Sequence, residues 1–166
     1  LSQTNKGVFM IQKNQLMPVG ELQELKNGEM LTHNTAELFA NKKVVLFAVP
    51  GAFTPTCSVS HLPGYVVAAD EFKAKGVDAI ICLSVNDAFV MSAWGESQNA
   101  ENIMMLADGD GSYSKALGLS MDTATFGGVR SQRYSIIIDN GEVTSLNVEE
   151  PQSFEVSKAE VILQQL

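Results

Sequence analysis

The sequence is poor in cysteine and in positive charge, and each shortage removes a class of answer. Two cysteines in 166 residues cannot build a disulfide framework, so the fold must rest on an apolar core. They fit a reducing compartment in which a thiol stays free, most simply the cytoplasm. Eleven Lys and Arg stand against nineteen Asp and Glu, a formal charge of −8. That is the wrong sign for neutralising phosphates, and no nucleic-acid partner is expected. No apolar run approaches the ~18 residues of a membrane span, and none is expected. Metal and cofactor sites are not expected either. Cys57 and His61 are too few for a zinc set. Asp108-Gly109-Asp110-Gly111 has Tyr113 and Leu119 where a calcium loop needs Gly and Glu.

What is present is ordinary globular composition, 45% hydrophobic and 18% charged, in a chain long enough for one sizeable core and short for two. Residues 1–9 are expected to be a processing or cloning remnant, or a disordered arm, with Met10 opening the first strand. A single domain is expected over 10–166. Gly20 to His33 reads as a hairpin turning at Asn27-Gly28. Asn34 with Glu37 resembles a capping box for a short helix. Val44–Val49 and Val77–Val85 read as buried strands, Asp87–Gln98 as a helix, Ile103–Leu106 as a short strand and Ser112–Leu117 as a helical turn. Arg133–Ile138 and Val143–Val148 pair through Asn140-Gly141, and a last helix is expected from Ser157, boxed by Glu160. The order gives an α/β fold with a central mixed β-sheet flanked by helices, since hairpins pair antiparallel and crossovers pair parallel.

The informative stretch is Pro50-Gly51-Ala52-Phe53-Thr54-Pro55-Thr56-Cys57-Ser58-Val59, between the first buried strand and a helix. Thr54 is expected to cap that helix and Pro55 to open it, placing Cys57 in the first turn. Unpaired N–H groups and the helix dipole there favour a sulfur anion, the nucleophilic form of cysteine. A cysteine flanked by Thr, Pro, Thr and Ser is poorly explained by packing alone.

Pro50-x-x-x-Thr54-x-x-Cys57, with His61-Leu62-Pro63-Gly64-Tyr65 after it, resembles the peroxiredoxins, and within them the type II, peroxiredoxin-five-like subfamily. Val85-Asn86-Asp87-Ala88-Phe89-Val90-Met91, Ala107-Asp108-Gly109-Asp110-Gly111-Ser112 and Arg133-Tyr134-Ser135 extend the resemblance to most of the chain. It implies a thioredoxin-like fold and reduction of hydrogen peroxide and organic hydroperoxides. It also implies that Cys57 is the peroxidatic nucleophile, that Thr54 and the Cys57 N–H bind the peroxide oxygens, and that Pro50 shields the sulfur. Gly51, Phe53 and His61 are supporting residues. The family's arginine maps onto Arg133, with Arg130 as the competing position. His61, one helical turn beyond Cys57, could donate to the sulfur or to nearby backbone.

No cysteine occurs between Leu146 and Leu166, so the C-terminal resolving thiol of some relatives is absent. Cys82 lies in Ile80-Ile81-Cys82-Leu83, too apolar a run to be exposed. A one-Cys enzyme is therefore expected, its sulfenic acid recycled by an external thiol; the resemblance implies glutathione, often with glutaredoxin, ahead of thioredoxin. The resemblance also implies a homodimer. The alternative is a monothiol redox sensor or binding protein in which Cys57 oxidation is a signal and not a turnover step.

Overall fold

A computed structural model describes residues 9–166; the expectation for residues 1–8 lies outside the described residues. β1 (Glu21–Lys26) and β2 (Glu29–Asn34) form the expected hairpin, with Asn27 at φ 52° and Gly28 at φ 80° in its turn. Asn34 then caps α1 (Thr35–Phe39), its Oδ1 accepting from the Ala36 and Glu37 N–H groups. β3 (Lys43–Val49) runs into a π-turn (Cys57–His61) and α2 (Leu62–Ala74). β4 (Ala79–Ser84), α3 (Ala88–Ser97), β5 (Met104–Ala107) and α4 (Ser112–Leu117) follow. A small two-stranded sheet of β6 (Ser120–Asp122) and β7 (Val129–Ser131) precedes the closing hairpin β8 (Tyr134–Asp139) and β9 (Glu142–Val148), and α5 (Ala159–Gln165) ends the chain.

The main sheet has seven strands in the order β2-β1-β5-β4-β3-β8-β9. β3 pairs parallel with β4 and antiparallel with β8, and β4 pairs parallel with β5, which gives the mixed α/β sheet expected. The strand order 5-4-3 proceeds in one direction, so the crossovers through α2 and α3 fall on one face. Alternation along β3 builds two cores. Val45, Phe47 and Val49 face α2, α3 and α5, together with Cys57, Tyr65, Phe72 and Trp94. Val44, Leu46 and Ala48 face α1 and α4, together with Phe39, Leu117, Tyr134 and Ile136. A strand buried on both sides needs the near-continuous apolar run that Val44–Val49 supplies.

Three local expectations are corrected. Met10 opens no strand: Asn14 turns left-handed at φ 73°, and the segment attaches through Ile11 N–H to the Leu117 carbonyl (2.8 Å) and an isolated Leu16–Glu142 bridge. The Ser157–Glu160 box does not form. The Ser157 N–H and Oγ both donate to Glu149 (2.8 and 2.7 Å), and α5 starts only after Lys158. The helix after Cys57 is not regular, as the next section describes. The β6–β7 sheet has strands too short for period-2 patterning to mark.

Asp108, 1% exposed, holds the start of α4 by accepting from the Tyr113 N–H (3.1 Å) and the Ser114 N–H (2.7 Å). Asp108→Ala leaves those buried donors unpaired and is expected to lower stability by about 1–3 kcal/mol. Urea unfolding checks this, and an unchanged midpoint would refute it.

Candidate active site

β3 delivers the chain to Pro50, and a tight loop carries it to the helix that begins at Pro55. The loop is over-determined. Arg130 Nη1 donates to the Pro50 carbonyl (3.0 Å), and the Ala52 N–H donates to Asn86 Oδ1 (3.0 Å). Thr54 Oγ1 donates to the Gly51 carbonyl (2.6 Å). These bonds hold Phe53 at φ 63°, a left-handed conformation costing roughly 1–2 kcal/mol for a residue with a side chain. A Cβ at Gly51 or Gly127 would meet the Arg130 guanidinium, which would have to shift from its place on the Pro50 carbonyl. Thr54 stands at the expected N-cap position, its carbonyl accepting the first helical bond from the Ser58 N–H (2.9 Å), but its hydroxyl serves the loop and not the helix N–H groups.

Cys57 sits at the third helical position and is fully buried. Its carbonyl accepts from the Leu62 N–H across one π-turn. The register widens because Pro63 has no N–H to offer the Val59 carbonyl. Trp94 Nε1 donates to Ser58 Oγ (3.0 Å), tying this turn to α3.

The cation on the sulfur is Arg133: its Nη2 lies 3.0 Å from Cys57 Sγ. Its other terminal nitrogen, Nη1, lies 2.8 Å from His61 Nδ1. A guanidinium only donates, so His61 Nδ1 must be the unprotonated, accepting nitrogen. His61 Nε2 then carries the proton and donates to the Ser157 carbonyl (3.1 Å). The ring is locked in one neutral tautomer. Burial, then the adjacent Arg133 charge, push its pKa down to about 3, with only the Ser157 carbonyl opposing. The Ser157 carbonyl also accepts from Tyr65 Oη and Ser135 Oγ (both 2.8 Å). Phe154 covers the group, its ring 5.0 Å from that of His61 and 5.7 Å from the Arg133 guanidinium. A cleft of about 590 Å³ opens beside Arg133, walled also by Pro50, Thr56, Met121, Pro151 and Phe154.

Of the residues expected at the site, Cys57, Arg133 and His61 are joined by direct contacts. Pro50 and Arg133 share the cleft, and Gly51 and Thr54 shape the loop. Phe53 is 57% exposed, its ring 6.4 Å from Trp94. Arg130, the competing position, takes the loop carbonyl instead of the sulfur. Asn86, Tyr65, Ser135, Phe154 and Ser157 were not anticipated at the site; Asn86, Tyr65 and Ser135 carried a signal, as members of the Val85–Met91, His61–Tyr65 and Arg133–Ser135 strings. Cys82 is fully buried in β4, where burial and then the nearby Cys57 push its thiol up against the opposing pull of Arg133. Among the described residues no group of three or more His, Cys, Asp and Glu could hold a metal ion.

A buried thiol under a guanidinium, at the start of a helix that follows a central strand, defines a thiol-based redox centre. Residues 12–163 match the family model described as Redoxin. Peroxiredoxin-2D of Arabidopsis thaliana is 50% identical over 143 residues, covering 85% of this chain and 88% of that protein. The structure of reduced Prx3 from Vibrio vulnificus in complex with hydrogen peroxide superposes with a TM-score of 0.93 at 67% identity, covering 94% of this chain and 99% of that one. The Plasmodium falciparum antioxidant protein, a 1-Cys peroxiredoxin, gives a TM-score of 0.85 at 28% identity, covering 93% and 98%. The chain belongs to the redoxin family and, within it, to the peroxiredoxins, thiol peroxidases with a thioredoxin-like fold.

The His61 geometry makes a pH prediction. Burial holds its folded-state pKa at about 3, below the ordinary histidine value of 6.5, so the unfolded chain takes up the proton first as pH falls. Stability contributed by neutral His61 is intact above about pH 7 and is lost on acidification, by up to about 1.4 kcal/mol per pH unit. His61→Asn removes this titration. Its stability deficit relative to wild type should be constant above pH 7 and narrow below pH 6, and parallel curves from pH 7.5 to 4.5 in urea unfolding would contradict this.

Proposed function

We propose that Cys57 is the peroxidatic nucleophile of a one-cysteine cycle that borrows its second thiol from solution. The observation carrying this reading is the 3.0 Å contact between Arg133 Nη2 and Cys57 Sγ. A fixed positive charge beside the sulfur faces the negative charge that develops during attack. The sulfur attacks one peroxide oxygen, the S–O bond forms and the O–O bond breaks. The electron pair leaves with the second oxygen as hydroxide or alkoxide, which takes a proton from solvent to give water or an alcohol. Sulfur is left as a sulfenic acid.

Arg133 and the Cys57 N–H, at the open start of the helix, supply donors to the peroxide oxygens. Thr54 has already given its proton to the Gly51 carbonyl, so its hydroxyl oxygen accepts from the peroxide O–H. Pro50 walls the cleft and limits water at the sulfur. His61 touches Arg133 and not the sulfur, and acts by positioning the guanidinium.

The fully buried Cys82 thiol, which burial keeps protonated, supports a cycle without an internal partner. The sulfenic acid is then reduced by two external thiols. The first condenses with it to a mixed disulfide and water; the second displaces Cys57 and leaves the external pair as a disulfide. Glutathione, with or without glutaredoxin, fits this step ahead of thioredoxin, and a cycle consuming reduced thiols fits the cytoplasm. We also propose a homodimer. Phe53, Phe89 and Phe126 are each more than half exposed, apolar side chains of the kind that pairing would cover.

The test is peroxide consumption with glutathione, glutathione plus glutaredoxin, or thioredoxin as reductant, for wild type, Cys57→Ser and Cys82→Ser. Cys57→Ser should lose turnover, and Cys82→Ser should keep it. Mass spectrometry after one equivalent of peroxide and glutathione should find a mixed disulfide at Cys57. A Cys57–Cys82 bond, or lost turnover in Cys82→Ser, would overturn the one-cysteine cycle, and one reaction per chain with every reductant would identify a sensor.

A further inference from the structure

Arg133 is held from two directions, and both lead back to one residue, Glu149. The Glu149 N–H donates to the Arg133 carbonyl (2.9 Å), joining the two backbones where β9 runs out beside β8. The Glu149 side chain, in a residue 8% exposed, turns the other way. Its Oε2 accepts from the Glu155 N–H (2.8 Å), the Ser157 N–H (2.8 Å) and Ser157 Oγ (2.7 Å). One oxygen thus closes residues 149–157 into a strap, and that strap carries Phe154 onto Arg133 and His61.

The strap ends at Ser157, whose carbonyl is the acceptor for His61 Nε2. Glu149 holds the N–H and hydroxyl of Ser157, while Tyr65 and Ser135 hold the carbonyl from the other side. The direction of that carbonyl decides which His61 nitrogen carries the proton. The bare nitrogen decides where Arg133 Nη1 is held, and the rigid guanidinium fork then fixes Nη2 on the sulfur. We propose that Glu149 is a positioning residue for the peroxidase reaction, acting through Ser157 and His61 to orient Arg133. The proposal rests on Cys57 as the nucleophile and is independent of how the sulfenic acid is later reduced.

A staple that served folding alone would leave the histidine tautomer and the sulfur's reactivity unchanged once the variant had folded. The test is therefore single-turnover oxidation of reduced protein by hydrogen peroxide, with no reductant present. It is paired with 15N NMR of His61, simple to assign because the chain has two histidines. Wild type should react and should display the Nε2–H tautomer alone. Failure of wild type or normal oxidation of Cys57→Ser would count against the nucleophile assignment, not against Glu149.

Glu149→Ala should react on the order of 10- to 100-fold more slowly, the scale expected when a group is displaced from its productive position. Its His61 signals should move toward a mixture of tautomers. Glu149→Gln keeps an acceptor oxygen at the same reach and should recover most of the rate and the single tautomer. If Glu149→Ala does not fold, Glu149→Asp, one methylene too short to reach Ser157, takes its place with the same expectation. A folded variant with wild-type rate, or a slowed one whose His61 signals are unchanged, would overturn the proposal.

Discussion

The guanidinium of Arg133 is shared between Cys57 Sγ and His61 Nδ1, and most of the remaining architecture can be traced to that sharing. Both contacts need the end of β3 and the start of β8 to lie side by side. The antiparallel register does this by pairing Ala48 with Tyr134, so that β3 releases the Cys57 loop where β8 receives Arg133. A slip of one residue would send Arg133 to the opposite face, because side chains alternate along a strand. The fully apolar inner stretch of both strands makes that slip costly: Val45, Phe47 and Val49 belong to one core, while Ile136 and Ile138 pack in the other. The sheet is thus the instrument that sets a sulfur–nitrogen distance.

Sharing a cation with a histidine works only if the histidine stays neutral. A second positive charge at His61 would compete with the sulfur for the same surroundings and would lose the acceptor that holds Nη1. The protein keeps the proton off by burying the ring among Phe47, Tyr65 and Phe154 and by turning its protonated nitrogen to a carbonyl. That carbonyl lies 96 residues away in sequence, just before α5. The chain's closing segment is therefore part of the site's electrostatics, although it contributes no group that touches the sulfur.

This long reach explains which features could be read from the sequence. Asn34 and Asn27-Gly28 act within four residues of themselves, and Asn140-Gly141 turns the closing hairpin; each does what its residue type implies. The strands were legible because both faces are buried. Cys57 and Arg133 were legible as strings, and the contact at 3.0 Å separates Arg133 from Arg130 on geometry that spacing could not supply. Ser157 was misread for the opposite reason. A serine three residues before Glu160 looks like a capping box, but Glu149 offers a buried carboxylate that takes both its N–H and its hydroxyl. Thr54 is a parallel case, its hydroxyl drawn to a carbonyl three residues back instead of to the helix it precedes. Local rules name what a polar group can do, and tertiary structure decides among the partners.

The two cysteines give the sharpest form of the same point. Cys57 and Cys82 belong to one apolar cluster, and both are wholly buried. Burial therefore cannot be what would make one sulfur reactive and leave the other inert in the proposed cycle. Cys82 has strand neighbours on either side, Phe47 and Met105, and a buried thiol in such a place resists ionisation. Cys57 has a guanidinium at 3.0 Å, the open N-terminus of a helix behind it, and a cleft whose wall includes the same guanidinium. Arg133 also pulls on Cys82, but too weakly to offset its burial, whereas it touches the Cys57 sulfur directly. A sulfur that is both desolvated and charge-compensated is a better nucleophile than one exposed to water, because the fixed donors need no reorganisation as charge moves to the peroxide oxygen. The apolar core that silences Cys82 is thus also the medium that lets Arg133 act on Cys57 at full strength.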